Sequence, residues 1–163
     1  MKKELIVMRH AKAARINWDG DDFSRPLTSR GLIDAENQAM ALKRLGKAPD
    51  LILLSAAART VETAQIVQKT LGTTIPLEIE ENLYLASSNH YMHFVQRVSP
   101  DVQRLMLIGH NPGLEYFCNA LARDKQNIFL GTSTFVCFEW MGDSWEDLTF
   151  NSAEVKLVLD KKG

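Results

Sequence analysis

An α/β fold is predicted, a three-layer α/β/α arrangement with a largely parallel central sheet, and three observations predict it. Short, uniformly apolar runs recur along the chain, stretches of helical periodicity separate them, and caps, glycines or prolines mark the joins. Apolar runs without polar alternation suit central strands that are covered on both faces.

The first run, Leu5-Ile6-Val7-Met8, ends in Arg9-His10. A helix is expected after Thr28-Ser29, either of which can cap it; Leu32, Ala35, Ala39 and Leu42 recur on one face, and Gly46 lies where a stop belongs. Leu51 to Leu54 reads as a second buried strand. Val61, Ala64, Val67 and Leu71 then repeat at helical spacing before Gly72, and Tyr91 to Val98 reads as helix until Pro100 ends it. Leu105 to Ile108 is a third buried strand. After it, Asn111-Pro112 offers a cap and a first-turn proline to a helix that places Leu114, Phe117 and Leu121 together. Phe135 to Trp140 makes a further strand, and the alternating Val155 to Leu159 suits a sheet edge.

Residues 1–163 are long enough for one domain and short for two, so a single domain is expected. A composition of 45% hydrophobic and 24% charged residues excludes disorder, collagen-like repeats and an extended coiled coil. With 19 basic and 20 acidic side chains the formal net charge is -1, which provides no global attraction to nucleic acid or an anionic membrane. Cys118 and Cys137 lack metal-ligand spacing and read as packing residues. The apolar stretch after Met1-Lys2-Lys3-Glu4 is too short for a signal-peptide core, and no run approaches a membrane span, so a cytoplasmic monomer is the expectation.

In open α/β sheets ligands bind beyond the carboxyl ends of the strands. Three strand ends here carry notable residues: Arg9-His10, then Ser55 with Arg59 in the opening turn of a helix, then Gly109-His110-Asn111. A parallel arrangement brings two histidines, two arginines and two helix N-termini to one rim. Such a place suits a phosphoryl group, because guanidiniums form bidentate bonds to its oxygens and a neutral imidazole can act as a nucleophile. Pro26 fixes the chain beside Arg25 and can aim that side chain as a further phosphate contact.

Met8-Arg9-His10-Ala11-Lys12, Arg25-Pro26-Leu27-Thr28 with Gly31, Ser55 with Arg59, Thr63 and Ala64, and Gly109-His110-Asn111-Pro112 together resemble the histidine phosphatase superfamily. Within it, the chain looks most like the small SixA-type phosphohistidine phosphatases, with a phosphoglycerate mutase-like fold in a small version without lid insertions. The resemblance runs from Leu5 to about Leu148, where Trp145-x-x-Leu148 also looks typical.

The resemblance implies a covalent phosphohistidine intermediate. His10 would attack phosphorus, Arg9 and Arg59 would hold its oxygens, His110 would face His10 across the phosphate, and Arg25 would bind substrate. His10 must be neutral for this, and the neighbouring guanidiniums disfavour its protonated form. No metal and no cofactor are expected. The superfamily usually has Gly after the Arg-His pair where this chain has Ala11.

Larger members resembling this chain protonate the leaving group with a carboxylate, either directly after the second His or in a segment that aligns with Asn82-Leu83-Tyr84-Leu85. Here those positions hold Asn111 and Leu85. An alkoxide leaving group needs such an acid, whereas an imidazole can take its proton from solvent near neutrality. The expected substrate is therefore phosphohistidine on a signalling or phosphotransfer protein. Small phosphate esters with the same nucleophile are the alternative, followed by a phospho-binding module without turnover. Glu80, Glu81 and Glu115 read as exposed carboxylates, and Lys12 either as a phosphate contact or as a contributor to local positive potential. His90 and His93 read as surface residues without a third metal ligand, and Asp19 to Asp22 as a solvated loop flanked by Trp18 and Phe23.

Overall fold

The computed structural model describes residues 1–15 and 18–161. Its strands are β1 (Lys2–Arg9), β2 (Leu51–Ser55), β3 (Leu77–Glu80), β4 (Arg104–Gly109), β5 (Phe135–Met141) and β6 (Glu154–Leu159). Its helices are α1 (Ser29–Arg44), α2 (Ala58–Leu71), α3 (Ser88–Gln96) and α4 (Gly113–Leu121), with short 3-10 turns between β3 and α3 and between β5 and β6. The strands form one sheet in the order β3-β2-β4-β1-β5-β6. The β2–β3, β2–β4 and β1–β4 pairings are parallel, while β1–β5 and β5–β6 are antiparallel.

The side-chain alternation of the strands explains the three layers. Leu5, Val7, Leu53, Leu105 and Leu107 pack on one face against Tyr91, Met92 and Val95 of α3 and Leu114, Phe117 and Leu121 of α4. Ile6, Met8, Ile52, Leu54, Met106 and Ile108 pack on the other against Ala39 and Leu42 of α1 and Ala64 and Val67 of α2. A strand buried from both sides must be apolar at every position, as Leu5 to Met8 are. Each such side chain contributes about 1.5–3 kcal/mol of burial.

Of the two residues able to cap α1, Thr28 does so, as the sequence allows, its Oγ1 accepting from the Gly31 amide at 3.0 Å. Several other local expectations needed correction. Leu32 is exposed, because the buried stripe of α1 is rotated to include Gln38, whose amide donates to the carbonyls of Ser133 and Leu159. Ser87 caps α3, which starts earlier than the apolar pattern suggests. Asn111 does not cap α4; its side-chain amide donates to the Leu130 carbonyl, and Pro112, after a cis bond, stands just before the first helical residue. β3 was not expected. It is four residues long at the sheet edge and partly solvated, so it lacks the continuous apolar run that marks the central strands.

The two ends of the segment between β1 and α1 are tied to each other, Ala13 bridging Leu27 antiparallel. Thr28 N–H donates to the Lys12 carbonyl at 2.9 Å, and Ala14 N–H to the Pro26 carbonyl at 2.8 Å. A Cβ at Gly31 would stand 2.1 Å from the Lys12 carbonyl oxygen, so only glycine allows α1 this approach.

Candidate active site

The central strands β2, β4 and β1 are neighbours and parallel, so their carboxyl ends fall on one edge. Arg9 is registered opposite Gly109, and the His10 amide donates to the Gly109 carbonyl at 3.2 Å. Ser55 ends β2, and Arg59 follows in the first turn of α2. A pocket of about 470 Å³ opens there, lined by Arg9, His10, Arg25, Arg59 and His110 together with Lys12, Asn111, Asp22 and Leu85. All five residues expected at the site from the sequence therefore meet in one cavity.

His10 is 7% exposed, and its Nδ1 lies 2.8 Å from the Ala11 carbonyl oxygen. A carbonyl only accepts, so Nδ1 carries the proton and the neutral ring keeps its lone pair on Nε2. Burial pushes the imidazole pKa down to about 3, with Arg59, Arg9 and Arg25 adding to the effect. The guanidiniums disfavour the protonated ring, as the sequence leads one to expect, and desolvation is the larger cause.

His110 is held from two sides. Its ring Nε2 lies 2.8 Å from Ser55 Oγ, and its backbone amide donates to the Tyr91 hydroxyl oxygen at 2.9 Å. Its ring centroid is 5.4 Å from that of His10. Burial, then His10 and Arg59, lower its pKa to about 3.

Arg59 is 2% exposed and donates through Nη1 to the Asp22 carbonyl at 2.8 Å and through Nη2 to Asp22 Oδ2 at 3.2 Å. Arg25 Nε donates to Asp22 Oδ1 at 2.9 Å, and its Nη1 to the Ala14 carbonyl. Arg9 Nη1 donates to the Leu130 carbonyl at 3.1 Å. Arg9 Nε, Arg59 Nε and His110 Nδ1 are buried and have no hydrogen-bond partner among the described residues. A buried polar group left unpaired costs about 1–3 kcal/mol; Asn111 Oδ1, an acceptor, is a fourth such atom on this pocket's lining, but the two guanidinium nitrogens can only donate and so mark a place for an acceptor. With guanidiniums around it, that acceptor is an anion.

Sequence reasoning missed Asp22 and Tyr84. Asp22 was read as part of a solvated loop, yet its carboxylate bonds Arg25, Arg59 and the Tyr84 hydroxyl. The Tyr84 bond, followed by Arg59 and Arg25, holds its pKa at about 2. The three-residue spacing of Asp22 and Arg25 was a usable signal; nothing local pointed to Tyr84. Phe23 packs edge-on against Tyr84, and Tyr84 edge-on against His110.

Of the other carboxylates, Glu115 accepts from the Leu130 amide and so braces the Leu130 carbonyl that Arg9 uses, while Glu80 and Glu81 do not line the pocket. Leu85 does line it, with a positive φ of 52°. His90 and His93 are exposed, and no group of three or more His, Cys, Asp or Glu is placed to hold a metal ion among the described residues. Cys118 and Cys137 are buried, and burial pushes both thiols up. No helix among them is long and apolar enough to cross a membrane.

An α/β protein with a buried neutral imidazole among guanidiniums at its strand ends is of the kind that handles phosphoryl groups on histidine. The chain belongs to the histidine phosphatase superfamily (branch 1), whose sequence profile matches residues 5–84. An uncharacterized chloroplastic protein of Arabidopsis thaliana is 30% identical over 160 residues, spanning 90% of this chain and 71% of that one. The proposed phosphohistidine phosphatase SixA of Nakamurella multipartitia superposes with a TM-score of 0.86 at 25% identity, covering 98% of this chain and 96% of its own. Its proposed counterpart from Agrobacterium tumefaciens gives 0.81 at 26%, covering 96% and 97%. The chain is thus a phosphatase of the histidine type in its small, SixA-like version.

Proposed function

We propose that His10 Nε2 is the nucleophile of this phosphatase and that the substrate is phosphohistidine on a protein. The observation that carries the reading is the pairing of a neutral imidazole, protonated on Nδ1 by its bond to Ala11, with three unpartnered buried nitrogens on Arg9, Arg59 and His110. A phosphoryl group set among them accepts from Arg9 Nε and Arg59 Nε, and from His110 Nδ1 in the tautomer whose Nε2 accepts from the Ser55 hydroxyl. Nε2 then forms a bond to phosphorus while the bond to the leaving group breaks, and the guanidiniums hold the oxygens through a loose transition state. Water next attacks the phosphorylated His10, and Nε2 recovers its lone pair as phosphate departs.

The substrate reading is supported by the want of a carboxylic acid able to supply a proton among the described residues that line the pocket. Neither Leu85 nor Asn111 can donate one, and Asp22 is held ionised by Tyr84, Arg59 and Arg25. An ester oxygen leaving without an acid forgoes about 10²–10⁴ in rate, whereas a phosphoimidazole is protonated by solvent near pH 7. Among the described residues the four helices are all used in the two layers that cover the sheet, which leaves none of them to close over the pocket against a protein surface. The relatives named as proposed phosphohistidine phosphatases support the same choice.

The test is a rapid alkaline quench and mass spectrometry after mixing the enzyme with a phosphohistidine protein, beside steady-state turnover of that protein and a panel of sugar phosphates. Transient phosphate on His10 and faster turnover of the phosphoprotein are expected. An unlabelled His10 during turnover removes the nucleophile assignment, and faster turnover of any ester removes the substrate assignment.

A further inference from the structure

We infer that Asp22 is the leaving-group residue of this site: its carboxylate accepts the ring N–H of a protonated phosphohistidine and selects that substrate over phosphate esters. This rests on the reading of phosphohistidine as substrate and goes beyond it by naming the group that recognises the departing imidazole.

Asp22 shares the pocket with His10, Arg59 and His110, so it stands beside any phosphoryl group held there. Its carboxylate is fixed by three donors, Arg25 Nε at 2.9 Å, Arg59 Nη2 at 3.2 Å and the Tyr84 hydroxyl. A carboxylate offers about four lone-pair directions, so these donors leave room for one more. The side chain keeps 31% of its surface, consistent with a carboxylate that can still be reached from the cavity. The charged and titratable groups facing it are Arg25 from its own segment, Arg59 from α2, Tyr84 from the turn after β3 and the neutral His110 after β4.

A carboxylate that stays ionised cannot protonate an alkoxide. It can bind a leaving group that arrives carrying its own proton. In the productive complex the substrate ring is protonated on the nitrogen not bonded to phosphorus, and that N–H donates to Asp22. As His10 Nε2 bonds to phosphorus, the P–N bond breaks and its electron pair returns to the departing nitrogen. The ring leaves as neutral imidazole, keeping the N–H with which it came, and no proton passes from the enzyme. Asp22 stabilises the cationic ring and so raises its pKa in the complex.

The experiment compares the full chain with its Asp22→Asn and Tyr84→Phe variants on a phosphohistidine protein and on p-nitrophenyl phosphate, whose phenolate needs no proton. For Asp22→Asn, the ratio of kcat/KM on phosphohistidine to that on the aryl phosphate is expected to fall about 10- to 100-fold. The alkaline limb of kcat on phosphohistidine should also move to lower pH by about one unit, since the bound ring loses its anionic partner. Tyr84→Phe removes a competing donor from the carboxylate and is expected to move that limb the other way. Equal losses on both substrates, with the limb unmoved in the variant that folds, overturn the inference and leave Asp22 as a brace for Arg25 and Arg59. Failure of the unmodified enzyme to turn over phosphohistidine overturns the substrate reading instead.

Discussion

Ser55 Oγ lies 2.8 Å from His110 Nε2, joining the end of β2 to the residue that follows β4 at the base of the pocket. Ser55 is fully buried, so this bond is shielded from water and sets the orientation of the His110 ring. Ser55→Ala leaves a buried ring nitrogen without its partner. Denaturant titration should show a loss of about 1–3 kcal/mol, and kcat/KM should fall about tenfold as the ring loosens. Unchanged kcat/KM would detach His110 from the chemistry.

Both active-site imidazoles also bear on stability. His10 and His110 have folded pKa values near 3, below the ordinary value of 6.5. Between those values the unfolded chain binds more protons than the folded one, so stability falls as pH drops through this window and is unaffected above it. Both rings contribute to this loss, each because its buried neutral form resists protonation. His10→Asn removes one of them, and its stability measured across that range should decline less steeply than that of the unmodified chain.

Gly109 brings β4 against Tyr91: a Cβ there would stand 2.4 Å from the Tyr91 hydroxyl oxygen. Because that oxygen accepts from the His110 amide, Gly109→Ala should displace both. A stability loss of about 1–3 kcal/mol is expected from the overpacking. Adding Tyr91→Phe removes the nearest of the three close atoms and leaves two ring carbons at 2.9 Å, so the double variant should be more stable than the sum of the single losses implies. Strict additivity in a double-mutant cycle would contradict this.

Arg59 presents a planar fork fixed by Asp22, and lysine cannot reproduce it. Inhibition by inorganic phosphate should weaken about 10- to 100-fold in Arg59→Lys. The comparison of inhibition constants checks it, and equal constants would place the anion elsewhere.

A pocket walled by Arg9, Arg25 and Arg59 repels a divalent cation. Phosphate release is accordingly expected to persist in excess chelator. Loss of turnover that an added metal restores would contradict the proposed mechanism.

How much of this was legible in the sequence differs between elements. The runs from Leu5, Leu51 and Leu105 are apolar throughout because their strands are covered on both faces, and each leads into the residues that line the pocket. β3 escaped notice because an edge strand with partly solvated side chains carries no such pattern. The α1 face was misjudged at Leu32 because Gln38 is buried to bond two carbonyls from distant segments.

The sequence by itself determined the layered fold, the family and the gathering of Arg9, His10, Arg25, Arg59 and His110, since strand periodicity and motif order are local properties. Only the tertiary structure decided that His10 carries its proton on Nδ1, that burial more than charge keeps it neutral, and that Asp22 meets Tyr84 from 62 positions away. Protonation depends on desolvation and on neighbours brought together across the chain, and neither is written in the spacing of residues along it.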